Sequence, residues 1–121
     1  MLKVILFLDD NPARHTVMDA RYPNDLVVHA YDIHAFRAAL EEHERFDMIS
    51  LDHDLNDFEA RSYIGDSDAT GRDACGYMMK YRDKLPPVII IHSGNDDGSK
   101  DMAEFLASRG VVSRRRILYP L

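Results

Sequence analysis

The chain has 121 residues, a length typical of a single domain with an ordinary buried core. Its 21 acidic and 15 basic residues argue against non-specific binding to duplex DNA. A single cysteine, Cys75, excludes an internal disulfide and a Cys-rich zinc site, and we expect it in the core. The apolar run at the amino end is too short to cross a membrane and lacks a cleavage site, so we expect no membrane association and a cytoplasmic location.

Apolar, β-branched runs alternate with amphipathic segments along the chain. In chain order they predict a strand at 3–8, a helix at 12–21, a strand at 26–30, a helix after Asp32, a strand at 47–51, a helix at 71–82, a strand at 88–93, a helix ending at Gly110 and a strand at 115–121. Asn11 and Asp32 are the expected N-caps of the first two helices, with Pro12 at the first helical position. The stretch 56–70 is long enough to be a lid or binding loop, unless the following helix begins earlier.

This alternation predicts one α/β domain over residues 1–121. Strands that are apolar throughout indicate a parallel sheet covered on both faces. Right-handed crossovers then favour a flavodoxin-like three-layer sandwich whose five strands follow the order 2-1-3-4-5. In such sheets the ligand site lies outside the carboxyl ends of the strands, where the strand order reverses.

Acidic, imidazole and other polar side chains lie at or just after the carboxyl ends of three of the predicted strands. These residues are Asp9, Asp10, Asp52, His53, Asp54, His92, Ser93 and Asn95. Converging carboxylates repel one another, so they take up protons or bind a cation, and oxygen ligands suit Mg²⁺ or Mn²⁺. The predicted metal ligands are Asp9, Asp10, Asp52 and Asp54. For Asp10, Asp54 and Asp57, a turn or helix-cap role stays equally open.

The segments "LDDNPARH", "SLDHDL" and "IHSGN" resemble response-regulator receiver domains, and among them the divergent cyclic-phosphate processing receiver domains. Receivers carry an acidic pair after the first strand, a phospho-accepting Asp after the third, Ser or Thr after the fourth, and Lys before Pro at the fifth. Asp9 and Asp10 match the pair, Asp52 the acceptor and Ser93 the hydroxyl, whereas Tyr119 stands where Lys is expected. The resemblance implies processing of a cyclic phosphate in a nucleotide or RNA end, and the missing Lys argues against ordinary phosphorelay signalling.

Proton transfer by two imidazoles fits this chemistry. Near neutrality one imidazole can accept a proton from water while the other donates one to the leaving oxygen. The predicted catalytic residues are Asp52, His53 and His92, and the predicted substrate-binding residues are Arg14, Ser93 and Asn95. A solvated Arg14 and an Asx turn at Asn95 are open alternatives.

Three functions fit the sequence: metal-assisted hydrolysis of a cyclic phosphate, sensing of that phosphate without cleavage, and signalling through phosphorylation of Asp52. The missing Lys and the two added imidazoles favour the first two. The expected partner is a small phosphorylated ligand or an RNA end. Several other groups receive a secondary interpretation: His15, His29, His34 and His43 as structural or solvated residues, the amides at Gly71 as an anion site, and 114–116 as a solvated basic patch opposite the site.

Overall fold

A computed structural model describes residues 2–55 and 69–119 of the chain. Most of the predicted lid at 56–70 lies outside the described residues, as do Asp57 and Pro120. Within the described part, no helix is long and apolar enough to cross a membrane.

Five strands and four α-helices alternate along the described chain. They are β1 (Val4–Leu8), α1 (Pro12–Arg21), β2 (Leu26–Ala30), α2 (Ile33–Glu42), β3 (Met48–Leu51), α3 (Gly71–Met78), β4 (Val88–Ile91), α4 (Asp96–Ser108) and β5 (Val112–Arg115). The strands form one sheet in the order β2-β1-β3-β4-β5, and every neighbouring pair is parallel. The predicted flavodoxin-like sandwich and its strand order are confirmed.

Local signals place the ends of the first two helices where the sequence predicts them. The Asn11 side chain accepts a hydrogen bond from the Ala13 amide at 2.9 Å, and Pro12 opens α1. The Asp32 side chain accepts from the Ala35 amide at 2.8 Å and caps α2. These caps satisfy amides that would otherwise lack partners, and they fix where each chain crossover turns back along the sheet.

The core lies on both faces of the sheet because successive strand residues point in opposite directions. One face carries the larger cluster, which packs against α2, α3 and α4 through residues such as Phe36, Met78 and Met102. The other face carries Phe7 and Ile5, which pack with Met18 of α1 and Leu118. Cys75 is a buried core residue, and burial raises the pKa of its thiol to about 12.

Two predicted elements differ from the observed ones. The helix predicted at 71–82 ends as an α-helix at Met78 and continues as a 3₁₀ segment, Met79–Lys84, with Tyr81 outside the helical region at φ −129°. The strand predicted at 115–121 ends at Arg115, because Val112 pairs with Val88 and starts the strand earlier. A basic strand is tolerated at the sheet edge, where one side of the backbone and much of the side chains face water.

This register moves the basic run toward the site. Arg115 lies beside Ile91 at the carboxyl end of β4, and the Arg116 amide donates to the Ile91 carbonyl at 2.8 Å. The predicted position of the run, at the opposite end of the sheet, is therefore wrong for Arg115. The residue at the end of β5 is an arginine, four positions before the expected Lys position at Tyr119.

Candidate functional site

A polar cleft of about 450 Å³ opens at the carboxyl ends of β1, β3 and β4. It is lined by Arg14, Asp52, Asp54, His92, Ser93, Gly94 and Asn95. Parallel topology explains the convergence, because all three strands end at the same edge of the sheet next to the reversal of strand order. The structure thus brings together residues from "LDDNPARH", "SLDHDL" and "IHSGN".

Asp9 is fully buried, and its carboxylate accepts hydrogen bonds from Arg14, Asn11 and His92. Arg14 binds it with two nitrogens, Nε to Oδ2 at 2.6 Å and Nη2 to Oδ1 at 3.0 Å. The Asn11 amide and His92 Nε2 donate to the same carboxylate at 2.8 Å each. Burial alone would raise the pKa of Asp9, but the hydrogen bonds from His92 and Arg14 outweigh it and hold that pKa below its ordinary value.

His92 is held at both ring nitrogens. Nε2 contacts Asp9, Nδ1 contacts Ser50 Oγ at 2.7 Å, and the ring stacks on Phe7 with centroids 4.7 Å apart. Because the Asp9 carboxylate can only accept, Nε2 carries the proton and Nδ1 accepts from the Ser50 hydroxyl. Burial lowers the pKa of His92, which agrees with a neutral ring. This geometry makes His92 a fixed donor to Asp9.

Asp52, at the tip of β3, is a buried carboxylate with few partners. Its Oδ1 accepts from the His53 amide at 2.9 Å, whereas Oδ2 has no hydrogen-bond partner among the described residues and lies 3.5 Å from Arg14 Nη2. Burial and then the neighbouring charge of Asp9 raise the pKa of Asp52 to about 7. Its carboxyl group is therefore poised to exchange a proton for a cation near neutral pH.

His53 belongs to a second group at the rim of the cleft. Its Nδ1 lies 2.8 Å from Asp54 Oδ1, and the Asn95 amide nitrogen lies 3.1 Å from that same oxygen. Asn95 Oδ1 accepts from the Gly98 amide at 2.8 Å and so caps α4. A Cβ at Gly98 would overlap the His53 ring, so the absence of a side chain there lets the imidazole pack on the first turn of α4. Asp54 and Asn95 line the cleft, and His53 Nδ1 contacts both of them.

Ser93 and Arg115 organise the turn that follows β4. Ser93 Oγ accepts from the Asn95 amide at 3.0 Å, and the Ser93 carbonyl accepts from Arg115 Nη2 at 3.1 Å. Arg115 Nη1 also pairs with Asp96 at 2.6 Å. This role of Arg115 was missed from the sequence. Starting the last strand at Val112 would have placed Arg115 at its carboxyl end, next to the site.

A histidine pair supports the backbone of Asp9 from the other side. His15 Nε2 contacts the Asp9 carbonyl at 2.7 Å, its Nδ1 faces His29 Nδ1, and its ring stacks on Tyr31 with centroids 3.8 Å apart. His29 Nε2 contacts Asp19 at 2.8 Å. Burial lowers the pKa of His15 to about 4. The neutral ring therefore acts as a buttress for the turn after β1.

The start of α3 approaches the tip of β3 closely. The Gly71 amide donates to the His53 carbonyl at 2.8 Å, and a Cβ at Gly71 would overlap the Asp52 carbonyl oxygen. Thr70 and Asp73 form a capping box, with the Arg72 amide bonded to Thr70 Oγ1 at 3.2 Å. These amides are engaged within the protein, so the suggested anion site at this helix terminus lacks the donors it needs.

The predicted metal ligands divide into two sets. Among the described residues, Asp9, Asp52 and His92 offer ligand atoms that all lie within 4.8 Å of one another, and all three are buried. Asp10 is also buried and lies 4.0 Å from Arg14 Nη2. Asp54, whose side chain is 45% exposed, turns to His53 and Asn95 instead. The first set suits a cation, since its acids already surround a guanidinium.

Known proteins share both the sequence pattern and the fold. The pattern of the family described as "Cyclic-phosphate processing Receiver domain" matches residues 4–108. No curated protein matches the chain in sequence.

Solved structures similar to this chain include response-regulator receivers. A CheY-like receiver from Methanospirillum hungatei superposes with a TM-score of 0.66 at 19% identity, covering 100% of this chain and 84% of that one. The receiver domain of a sensor histidine kinase from Pseudomonas aeruginosa, with magnesium coordinated in its active-site cleft, gives 0.68 at 20% identity and coverages of 100% and 88%. A Burkholderia pseudomallei response regulator with a phosphorylated Asp, calcium and citrate gives 0.67 at 16% identity and coverages of 98% and 61%.

The family match spans most of the chain and agrees with the observed strand order and with the acids at the ends of β1 and β3. The chain therefore belongs to the cyclic-phosphate processing receiver domains.

Proposed function

We propose that this domain binds a cyclic phosphate, in a nucleotide or at an RNA end, and hydrolyses it with the help of Mg²⁺ or Mn²⁺. The observation that carries the proposal is the buried Asp52 carboxylate at the wall of the polar cleft. Within the part of the chain that the structure describes, its Oδ2 has no hydrogen-bond partner and lies beside Asp9 and Arg14. A carboxylate in this setting needs a proton or a cation, and a cation at this place would adjoin whatever occupies the cleft.

Asp9, Asp10 and Asp52 would hold the metal, and the coordinated magnesium in the Pseudomonas receiver supports this assignment by analogy of fold. A bound divalent cation supplies positive charge that stabilises the phosphate oxygens as the bond to the leaving oxygen breaks. His92 keeps Asp9 oriented by donating to its Oδ2, and Arg14 supplies donors that match a phosphate.

The rim group provides the proton carrier. Because Asp54 can only accept, His53 donates to it through Nδ1, which leaves Nε2 as the basic nitrogen of the neutral ring. The Asn95 amide nitrogen also contacts Asp54 Oδ1, so the carboxylate that orients the His53 ring is itself held in place. In the proposed reaction, His53 accepts a proton from the attacking water while the bond from phosphorus to one ring oxygen breaks. The protonated imidazole then returns that proton to the leaving oxygen, which stays on the phosphomonoester product.

A sensor that binds the phosphate without cleaving it is the second candidate. Both ring nitrogens of His92 are engaged, and the residue is only 3% exposed. His53 is then the one imidazole of the predicted pair that can transfer protons, whereas hydrolysis with a separate base and a separate acid needs two. Signalling through phospho-Asp52 has weaker support. The arginine at the end of β5, Arg115, is occupied by the Ser93 carbonyl and Asp96.

The test is a panel of cyclic phosphates, beginning with 2′,3′-cyclic nucleotides, followed by ³¹P NMR with Mg²⁺, with Mn²⁺ and with a chelator. Asp52→Asn should abolish metal-dependent turnover, and Asp83→Asn is the matched control because Asp83 is an exposed acid of the 3₁₀ segment. Binding without turnover would favour the sensor. If no compound of the panel binds and none is turned over, both candidates are contradicted.

A further inference from the structure

We propose that Arg14 is the resident counter-ion of the acid cluster and competes with the divalent cation for the same carboxylates. Binding of the metal would release the guanidinium into the cleft, where it becomes the phosphate-binding group. This inference rests on the proposed function for the identity of the anion, but the competition itself does not depend on turnover.

One guanidinium nitrogen already occupies the place of a cation. Arg14 Nη2 lies 3.0 Å from Asp9 Oδ1, 3.5 Å from Asp52 Oδ2 and 4.0 Å from Asp10 Oδ1. The three acids are 0%, 5% and 1% exposed in the same order, and the Arg14 side chain is 11% exposed. A single nitrogen therefore stands among three carboxylates that come from the ends of two strands.

The charges cannot all be satisfied by Arg14. Asp9 and Asp52 already bring two carboxylates to one guanidinium, and His92 is a neutral donor to Asp9, so Arg14 alone does not neutralise both acids when both are ionised. From residues 2–55 and 69–119, Asp52 Oδ2 gains the longer contact to Arg14 and no hydrogen bond. A buried carboxylate with so little compensation favours any additional positive charge that can reach it.

A metal ion and the guanidinium would not share this space. Two cations within a few ångströms repel each other, most strongly where water is excluded. Ligands that now bond to Arg14 would be taken by the metal, so Arg14 would have to leave. Arg14 already lines the cleft with Asp52 and Asn95, and its long side chain can turn toward the opening while the helix backbone stays in place.

Release of Arg14 from Asp9 would free its N–H groups to bind a phosphate. A guanidinium fork matches two oxygens of a phosphate, and the edge formed by Nε and Nη2 cannot take that role while both nitrogens are bonded to Asp9. Metal would thus strengthen anion binding beyond its own charge. By reciprocity, the anion would strengthen metal binding by the same factor, because it holds Arg14 away from the acids.

The competition is tested by measuring Mg²⁺ affinity calorimetrically, without any substrate, in the wild type, in Arg14→Met and in Arg37→Met. Met keeps most of the stem and removes the charge, and Arg37 is a matched control because it stacks over Tyr77 on α2 and α3. We expect Arg14→Met to bind Mg²⁺ about 5- to 150-fold more tightly, the range typical of coupling between two ligands. Unchanged or weaker binding in a folded Arg14→Met would overturn the proposal.

Loss of folding in Arg14→Met is covered by a second measurement on the wild type. The ¹⁵Nε resonance of Arg14 reports whether the nitrogen is bonded to Asp9, and we expect it to shift toward the solvated value as Mg²⁺ is added. A resonance that stays unchanged while calorimetry shows Mg²⁺ binding would overturn the displacement.

The anion step uses inorganic phosphate as the probe, titrated with and without Mg²⁺. The gain in phosphate affinity on adding Mg²⁺ should be larger in the wild type and Arg37→Met than in Arg14→Met. Equal gains in all three proteins would exclude Arg14 as the released ligand. Failure of the cyclic-phosphate panel would instead contradict the proposed function and leave the Mg²⁺ competition intact.

Discussion

Replacing Asp52 with Asn should stabilise the metal-free protein at neutral and alkaline pH. The residue is 5% exposed, and its Oδ2 lacks a hydrogen-bond partner in the described part of the chain, so ionisation of this group in the folded state is unfavourable. Asn has the same shape and keeps an oxygen for the His53 amide, which now donates to Asp52 Oδ1 at 2.9 Å. The amide carries no charge to be desolvated.

The magnitude follows from the rise in pKa from 3.8 to about 7. Each pKa unit corresponds to about 1.4 kcal/mol, so the full penalty is about 4 kcal/mol. The unfolded chain loses this proton near pH 4 and the folded protein near pH 7, so stability falls as pH rises through that window. We expect Asp52→Asn to gain about 2–4 kcal/mol at pH 8. At this chain length that is about 8–16 °C in Tm. The pKa of about 7 already includes the attraction to Arg14, and the Asn amide nitrogen placed beside Arg14 Nη2 offsets part of the gain.

The assay is thermal unfolding of wild type, Asp52→Asn and Asp83→Asn in a chelator from pH 4 to pH 8. The advantage of Asp52→Asn should vanish near pH 4 and grow with pH, whereas Asp83→Asn should follow the wild type. Millimolar Mg²⁺ should then raise the Tm of the wild type and leave Asp52→Asn unchanged, because a ligand of the native state stabilises by mass action. An advantage that is absent or independent of pH would refute the view of Asp52 as a desolvated carboxylate.

Three further predictions concern His53 at the rim, phosphorylation of Asp52, and His15 beneath the turn after β1. His53→Gln should slow hydrolysis of a cyclic nucleotide by about 10²-fold or more while Tm changes little, since its ring packs at the rim, and His43→Gln serves as the control in the same kinetic assay. A small phosphodonor with Mg²⁺ should leave no stable adduct on Asp52, because no Lys follows β5 and Arg115 is occupied; a stoichiometric, hydroxylamine-labile adduct in intact-mass data would restore the signalling function. The lowered pKa of His15, about 4 against 6.5, means that its contribution to stability is complete above pH 6.5 and is lost toward pH 4, by up to about 3 kcal/mol. His15→Gln should flatten this acid limb in denaturant titrations made in the Asp52→Asn background, where the opposing slope is absent, and an unchanged limb would exclude His15 as its source.

The sequence predicts which strand tips meet, because that depends only on topology. Apolar strands alternating with helices imply parallel order, and parallel order brings Asp9, Asp52 and His92 to one edge. The N-caps Asn11 and Asp32 are equally local, since each bonds an amide two or three residues away. Signals of this kind act over one turn of chain or one crossover, and the sequence displays them directly.

Side-chain partners across the sheet are not predicted in the same way. Ser50 and His92 are 42 residues apart, and their contact depends on strand register and on the face each side chain occupies. The predicted position of Arg115 is wrong for the same reason, because the start of the last strand decides whether an arginine reaches the Ser93 carbonyl. His15 and His29 meet only because α1 packs on β2, and nothing local to either residue indicates the other.

The contact of Arg14 with the acids after β1 follows from the way α1 begins. Asn11 caps α1 and Pro12 opens it, so Arg14 is the third helical residue. Side chains on a helix lean toward its amino end, and a long side chain at this position therefore reaches back over the turn that holds Asp9. The segment "DDNPAR" thus places a guanidinium on the acids that precede the helix, as the 2.6 Å contact from Nε to Asp9 records. Under the proposed competition, the cap geometry that starts the helix would make access of a divalent cation to this site depend on the departure of Arg14.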